Sequence, residues 1–194
     1  SPNNYIYFNC SDYNSQTSST CEVWRIIGVF DGKVKLIRNT SIGNYAWDNK
    51  DKTTGAESDL GKHDWTTARL MKLLNPSDYY TVDANDNGLG QSLYYNSGFG
   101  KCYSGQNNAT TDCDFTSTGI KNDNTRNLIA EATWNLGGWN TNSVYSNQMY
   151  GYERGTTVYP GRPTTPWKGK IALAYPSDYG YAAEFGTDYC NKQL

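Results

Sequence analysis

The five cysteines are the feature of this 194-residue chain that most constrains its fold. Cys10 and Cys21 stand at the two ends of a polar stretch, and Cys102 and Cys113 enclose a second polar stretch of the same length. A disulfide at the neck of each stretch would staple a hairpin or loop, and free buried thiols are the alternative. Because neither pair has an apolar context, the sequence favours two local disulfides, and it therefore predicts an oxidising, extracytoplasmic setting.

The two predicted disulfides leave out Cys190, which lies close to the C-terminus. It is a free thiol, a link between chains, or the partner of a cysteine beyond Leu194. We favour the third alternative, because the chain ends without a stop or cap signal, and we expect a C-terminally incomplete domain. A zinc site is not indicated, since the sequence has no Cys-x-x-Cys motif and a single histidine, His63.

Composition narrows the class of protein further. The chain is 14% aromatic and 19% charged with a net charge of -2, which is typical of a folded polar domain and not of a disordered tail. Runs of five or more Lys or Arg residues are missing, so the sequence predicts no nucleic-acid partner. Apolar stretches of roughly 20 residues are missing too, so it predicts no membrane span. With no internal repeat and no linker, residues 1–194 are predicted to form one domain.

The strongest local signal is a hairpin. An apolar run over 22–30 is followed by Asp31-Gly32 and then by a second run over 33–38, and Asp-Gly between two such runs predicts a two-residue hairpin turn. A first strand is predicted over 5–8. In the second hairpin strand, Val34 and Leu36 are predicted to share one face.

Two helices and a late strand complete the predicted elements. Residues 64–76 read as a helix that Asp64 caps and Pro76 ends. A second helix is predicted from about 124 to 136, and residues 170–175 read as a buried strand bounded by Pro176. Long loops join these elements. The order favours an α+β fold, with a small antiparallel sheet, about two helices and long disulfide-stapled loops.

Several long strings of this sequence resemble a family of bacterial surface proteins that come mainly from gut Firmicutes. They are residues 24–30, 36–38, 41–48, 70–76, 107–119 and 175–182. Many members carry a prepilin-type N-terminal helix, so the resemblance implies the exported head of a pilin-like protein at the bacterial cell surface. These strings indicate membership of the family, but they are weak evidence for a particular function. More distantly, the layout resembles C-type-lectin-like and sulfatase-modifying-factor-like domains, which implies a fold and not a ligand.

One stretch matches the front half of a calcium-binding loop. Asp83, Asn85 and Asn87 supply oxygen ligands at alternate positions, and Gly88 follows them. The rear half does not match, because Tyr94 stands where a bidentate glutamate belongs. Asn and Asp beside Gly also form simple turns. A plain turn is therefore favoured, with calcium as the alternative, and no other cofactor is predicted.

Aromatic residues in loops rich in Gly and Asn are the other candidates for a binding site. Exposed rings stack on sugar faces, whereas buried rings anchor long loops in a core. For Trp24, Trp65 and Trp134, which lie on predicted regular elements, the core is favoured. The candidate ligand-binding residues are Trp139, Trp47, Tyr94, Tyr95 and Tyr152.

Catalysis finds little support in the sequence. The serines lack a Gly-x-Ser-x-Gly elbow, and His63 beside Asp64 is best explained as a surface or capping residue. A glycoside hydrolase needs two facing carboxylates. Candidates for that pair are Glu131, Glu153, Asp178 and Glu184.

The sequence therefore predicts a non-catalytic extracellular surface or pilin-like domain that acts in assembly, display or adhesion. Its expected partners are other surface or pilus subunits. A carbohydrate-binding module that uses loop aromatics is the alternative, with a glycan as partner, and a hydrolase with paired carboxylates is third.

Overall fold

The computed structural model describes residues 3–45, 47–48, 64–76, 92–96, 99–102, 111–136, 146–154 and 166–182. Over these residues the protein is α+β with small antiparallel sheets, as the sequence predicted. Four short helices are present in these ranges, whereas the sequence predicted about two. The elements in chain order are β1 (Tyr5–Phe8), β2 (Glu22–Phe30), β3 (Lys33–Arg38), α1 (Arg69–Leu74), β4 (Phe99–Cys102), β5 (Thr111–Asp114), α2 (Asp123–Leu128), β6 (Ala132–Asn135), α3 (Ser146–Glu153), β7 (Pro166–Gly169) and α4 (Pro176–Ala182).

The chain divides into two compact units, Ser1–Ala130 and Glu131–Leu194. The first unit contains a three-stranded sheet in the order β1-β2-β3, the β4-β5 pair and helices α1 and α2. The second contains the β6-β7 pair and helices α3 and α4. Among the described residues, no helix is long and apolar enough to cross a bilayer.

The β2-β3 hairpin forms where the sequence predicted it. Asp31 and Gly32 connect the strands, and both have positive φ angles, of 50° and 74°. Two such residues make a type I′ turn, whose twist matches that of the flanking strands. Val34 pairs with Val29 and Leu36 with Ile26, so Val34 and Leu36 share a face as predicted.

The disulfide between Cys10 and Cys21 is confirmed. It closes the β1-β2 connection just beyond the last strand pair, Phe8 with Glu22, and both cysteines are buried. Beside it, Asn9 adopts a left-handed conformation with φ 51°, which Asn tolerates better than most residues. The covalent bond therefore lies at the neck of the polar loop 11–20.

This disulfide loop is held against residues 119–125 by hydrogen bonds. Asn9 Nδ2 donates to the carbonyl of Gly119, and the Lys121 N–H donates to Asn9 Oδ1 at 2.8 Å. Asn122 Nδ2 donates to the carbonyl of Cys10 at 2.8 Å. Asn122 also caps α2, since its side chain accepts from the Thr125 N–H. One asparagine thus joins the start of a helix to the disulfide.

We expect Tyr13→Phe to lower the free energy of unfolding by about 1 kcal/mol, the ordinary net value of a hydrogen bond. The hydroxyls of Tyr13 and Thr125 lie 2.6 Å apart, and Thr125 is fully buried. Urea unfolding of Tyr13→Phe, Thr125→Val and the double variant measures the coupling between the two side chains. Fully additive effects would contradict a direct bond between the loop and α2.

Helix α1 is shorter than predicted and is capped from a distance. Asp64 accepts from the Thr66 N–H and thus caps a preceding turn, whereas Ala68 occupies the N-cap position of α1. The prediction that Asp64 caps the helix was wrong. The first free N–H groups of α1 are instead satisfied by Asp48 Oδ1, which accepts from Arg69, and by the Trp47 carbonyl, which accepts from Leu70.

Helix α1 contributes three buried leucines to the core of the first unit. The predicted stripe of Leu70, Leu73 and Leu74 is buried, as expected for the apolar face of a helix. Other buried apolar side chains of this unit are Trp65, Ala68, Leu93, Tyr94 and Phe115.

The helix predicted from 124 to 136 is wrong in its second half. Helix α2 ends at Leu128, and Ile129 has extended backbone angles. Residues 132–135 form β6, which pairs with β7 in a register that sets Trp134 opposite Trp167. Trp134 Nε1 donates to the Gly169 carbonyl at 3.1 Å. Pairing with a strand distant in the sequence therefore overrides the local helical pattern.

The strand predicted over 170–175 is also wrong. The strand is β7, which ends at Gly169, and Leu173 is exposed. Pro176 begins α4 instead of ending a strand. Asp178, in the first turn, accepts a hydrogen bond from the Tyr175 N–H at 2.9 Å. Pro at the first helical position with an acid two residues later is a helix start.

Candidate functional site

One face of the three-stranded sheet exposes aromatic, aliphatic and basic side chains. We call it the sheet face, and it consists of Tyr5, Tyr7, Val23, Arg25, Phe30, Lys33, Lys35 and Ile37. Tyr5 is 48% exposed and Tyr7 41% exposed. Apolar side chains grouped on a surface and rimmed by polar ones are typical of an interaction site.

Strand register places these residues together. Arg25 pairs with Tyr5 on one side and with Ile37 on the other, so the three form one row across the sheet. Tyr7 pairs with Val23 in the next row. Directly paired residues project to the same side of a sheet, and so do residues two apart along a strand. A bulge between Ile26 and Gly28 lengthens β2 before the remaining rows, Gly28 with Lys35 and Phe30 with Lys33.

The opposite side of the sheet carries different contacts. Glu22 forms a salt bridge with Arg38 at 3.0 Å and accepts from Trp24 Nε1 at 3.1 Å. Phe8 packs edge-on against Trp24, with ring centroids 5.5 Å apart. All four side chains are half-buried. The acid in this part of the sheet therefore lies on the side away from the sheet face.

The sheet face carries three positive charges and no acid at any of its positions, although the whole chain has a net charge of -2. Arg25 lies over the Tyr5 ring, 5.3 Å from its centroid. Lys35 lies 5.8 Å from the centroid of Phe30, whose ring covers Gly28. Cations held over rings keep their charge near an apolar surface. This arrangement is suited to a partner with negative charge and apolar area.

The aromatic residues nominated from the sequence have a different environment. Tyr94 is only 4% exposed, and burial raises the pKa of its hydroxyl. Tyr95 packs edge-on against it, and the carbonyls of both accept from Arg126 at 2.9 Å and 2.7 Å. Trp47 is half-buried against Trp65, with centroids 5.2 Å apart. These contacts anchor loops to the core of the first unit.

Tyr152 is half-buried on α3 in the second unit, and Trp139 lies outside the described residues. The candidate calcium ligands Asp83, Asn85 and Asn87 also lie outside them. Within the ranges that the structure describes, no group of three or more His, Cys, Asp or Glu side chains is arranged to hold a metal ion. The calcium alternative therefore stays a prediction.

The second predicted disulfide also stays a prediction. Cys102 and Cys113 lie on the paired strands β4 and β5, where Cys102 pairs with Thr111 and Cys113 with Gly100. The register thus brings the two cysteines onto neighbouring strands, two positions apart. Cys190 lies outside the described residues.

Two of the nominated carboxylates lie in one buried cluster where α3 ends and α4 begins. Glu153 is 1% exposed and accepts hydrogen bonds from the backbone N–H and the hydroxyl of Ser177. Burial raises the pKa of Glu153, and the Ser177 hydrogen bonds oppose that shift. Glu131 is exposed just before β6, and Glu184 lies outside the described residues.

The second carboxylate of the cluster is Asp178, which binds Arg154 at 3.0 Å. The Arg154 guanidinium lies 5.1 Å from the ring centroid of Tyr150 and 4.7 Å from that of Tyr175. The Tyr175 hydroxyl in turn accepts from the Asn135 N–H, and burial raises its pKa. Each carboxylate thus has a partner that ties α3 to α4, which is a structural role.

We expect the stability of the protein to fall as the pH rises above about 4.5, the ordinary pKa of a glutamate. The folded state keeps the Glu153 proton to a higher pH than the unfolded state, so unfolding releases a proton in that interval. The decrease stops above the raised pKa of Glu153. Urea unfolding between pH 4 and pH 8 measures this slope.

Two substitutions distinguish the contribution of Glu153 to the pH dependence of stability from that of other acids. Glu153→Gln resembles the protonated side chain, so this variant is expected to lose less stability than wild type as the pH rises. Glu131→Gln changes an exposed side chain and is expected to lose as much stability as wild type does. A difference in unfolding free energy between wild type and Glu153→Gln that stays constant from pH 4 to pH 8 would contradict the assignment.

The sheet face was not predicted from the sequence. Residues 5–8 were predicted to form a strand and residues 22–38 a hairpin, but the ligand-binding residues predicted from the sequence were loop aromatics. The available signal was the alternation Tyr5-Ile6-Tyr7-Phe8, which puts both tyrosines on one side of β1. Only the observed pairing of β1 with β2 shows that this side also carries Arg25.

No protein-family model, curated protein or solved structure gives a significant match to this chain. The resemblances to bacterial surface proteins and to C-type-lectin-like domains therefore stay predictions.

Proposed function

We propose that this chain is a non-catalytic domain of a bacterial extracellular surface or pilin-like protein that acts in assembly, display or adhesion. The sheet face carries this proposal. Its exposed tyrosines and aliphatic side chains surround Arg25, and Tyr and Arg are enriched at the centres of protein interfaces. The domain contacts its partner through this face.

The disulfide supports an extracellular location. Structural disulfides are formed and kept in oxidising compartments, and Cys10–Cys21 is buried and continuous with β1 and β2. The disulfide closes the connection between β1 and β2, and these two strands carry Tyr5, Tyr7 and Arg25 of the sheet face. The covalent staple thus keeps the sheet face rigid under conditions outside the cell.

The buried acids support the non-catalytic part of the proposal. Glu153 binds Ser177 and Asp178 binds Arg154, so both carboxylates serve the packing of α3 against α4. Paired catalytic carboxylates have to face a cleft that admits substrate. Glu153 and Asp178 are both buried side chains.

The test uses the bacterium that produces the protein and two matched pairs of substitutions. Val23→Ser with Ile37→Ser changes the sheet face, and Val29→Ser with Val34→Ser changes two apolar residues that are more exposed and lie on the other side of the same sheet. Antibody against the domain should label intact cells of all strains. Attachment or surface assembly should fall about tenfold with the first pair, as expected for interface centres, and stay unchanged with the second.

Two results would overturn the proposal. Labelling of broken cells alone would contradict an extracellular location. Equal attachment and assembly in both variant strains, with both proteins folded, would show that the sheet face is not the contact surface.

A further inference from the structure

We infer that the sheet face binds an anionic polysaccharide, a linear glycan that bears carboxylate or sulfate groups. The inference rests on the proposed function, because it names the ligand of the same face. It follows from the positions of the three cations in successive rows of the sheet, from the tyrosine rings at the Arg25 end of these rows and from the charge of the rest of the chain.

The three cations lie in successive rows of the sheet on two adjacent strands. Lys33 and Lys35 are alternate residues of β3, and Arg25 lies on β2 opposite Ile37, the next alternate residue of β3. Alternate residues of a strand are roughly 7 Å apart, so the three rows extend over about 14 Å along the strands. Cations in successive rows match a linear polymer with repeated acidic groups.

Arg25 is the best-organised of the three cations. Its guanidinium lies over the Tyr5 ring at 5.3 Å, which restricts the side chain before any ligand binds. A planar guanidinium binds a carboxylate or sulfate through two parallel hydrogen bonds. Preorganisation lowers the entropy that binding costs.

Tyr5 and Tyr7 extend the site at its Arg25 end. Tyr5 pairs with Arg25, Tyr7 lies in the next row with Val23, and both tyrosines are exposed on β1. Tyrosine offers an apolar ring with a polar end, which suits the C–H face of a pyranose ring and its hydroxyls. A glycan with acidic substituents can therefore contact the rings on β1 and the cations on β2 and β3 together.

The charge of the rest of the chain favours a sparsely charged polyanion over a densely charged one. The chain has a net charge of -2 and the sheet face carries +3, so the remainder carries -5. A negative surround repels a dense polyanion such as nucleic acid more strongly than a sparsely charged glycan. Recognition is thus confined to this face.

The test measures binding of the purified, disulfide-intact chain to polygalacturonate and heparin by affinity electrophoresis and calorimetry. Neutral dextran, poly-glutamate and single-stranded DNA are the comparison probes. We expect binding to at least one acidic glycan that weakens as salt is raised from 20 to 200 mM, since exposed charges are screened. The identity of the better glycan separates carboxylate from sulfate recognition.

Variants locate the site. Arg25→Gln is expected to weaken acidic-glycan binding at least tenfold, the scale of a lost charged hydrogen bond, and Tyr5→Ala is expected to weaken it as well. Lys33→Gln is expected to weaken it about threefold, within the range of a partly screened charge pair. Lys168→Gln is the matched control, because Lys168 is an exposed lysine on strand β7 of the second unit, and it is expected to bind as wild type does.

Each other outcome overturns the inference. Stronger binding to dextran, poly-glutamate or DNA would assign the face to a neutral glycan, an acidic protein or a nucleic acid. Absence of acidic-glycan binding would also overturn it, while the proposed function would survive if attachment still fell with Val23→Ser and Ile37→Ser. If neither acidic-glycan binding nor the fall in attachment were observed, both this inference and the proposed function would be rejected.

Discussion

Asp178→Asn is expected to lower the free energy of unfolding by about 3 kcal/mol, the scale on which loss of one partner destabilises a buried ion pair. The side chain of Asp178 is 3% exposed, and that of Arg154 is 15% exposed. Asp178 Oδ1 accepts from Arg154 and Oδ2 accepts from the Tyr175 N–H. Asparagine has one acceptor oxygen and one NH2 group, so in either orientation a donor of Asn faces a donor of the protein.

The consequence should be local to the second unit. Tyr175 precedes α4, and Arg154 follows α3, so the substitution loosens both the start of one helix and the end of the other. Hydrogen exchange should therefore show loss of protection in α3 and α4 before the three-stranded sheet of the first unit is affected. Urea unfolding followed by circular dichroism gives the free energy.

An exposed ion pair provides the control. Asp123 pairs with Arg126 at the same 3.0 Å, but its side chain is 88% exposed. Ion pairs in water contribute little to stability, so Asp123→Asn should change it far less than Asp178→Asn. Equal effects of the two substitutions would show that burial of the Arg154–Asp178 pair does not determine its contribution.

The parts of the fold that the sequence predicts correctly are set by neighbouring residues. The β2-β3 turn requires two residues with positive φ, and Asp31-Gly32 supplies them. The Cys10–Cys21 disulfide joins residues that the chain already brings back together in a hairpin. In both places the local signal and the tertiary structure agree.

The errors occur where distant residues decide the structure. A helix was predicted there from the apolar residues at 129, 130, 132 and 134. Strand β6 forms instead, because Trp134 pairs with Trp167 of a strand more than 30 residues away. Tyr175 reads as the end of a strand, yet its N–H is bound by Asp178 at the start of α4. A single sequence carries no direct signal for such pairing.

The candidate site was unpredictable for a related reason. Tyr5 and Tyr7 are visible as an alternating pattern, but alternation does not say which side of the sheet the core covers. Arg25 and Ile37 join them only through the register of three strands. Tyr94, by contrast, lies in a polar stretch of the sequence and is nevertheless buried, because Arg126 binds its carbonyl and Tyr95 packs on its ring.

Removal of the Cys10–Cys21 disulfide is expected to lower the free energy of unfolding by about 3 kcal/mol, the loop-closure value for a bond that spans 11 residues. Cys10→Ser with Cys21→Ser also places two hydroxyls where buried sulfur atoms were. The loss should extend to residues 119–125, because Asn122 donates to the Cys10 carbonyl and Lys121 donates to Asn9. Urea unfolding of the oxidised wild type and the double variant measures the difference.

A paired alanine substitution separates the chain-entropy effect from the side-chain effect. Cys10→Ala with Cys21→Ala removes the bond without adding hydroxyls, so it should recover part of the loss seen with serine and keep the part that comes from the unfolded state. Ser19→Ala in the exposed tip of the same loop should change stability little. If the alanine pair were as stable as the oxidised wild type, the disulfide would contribute nothing to stability, and the hydrogen bonds of Asn9 and Asn122 would hold the loop without it.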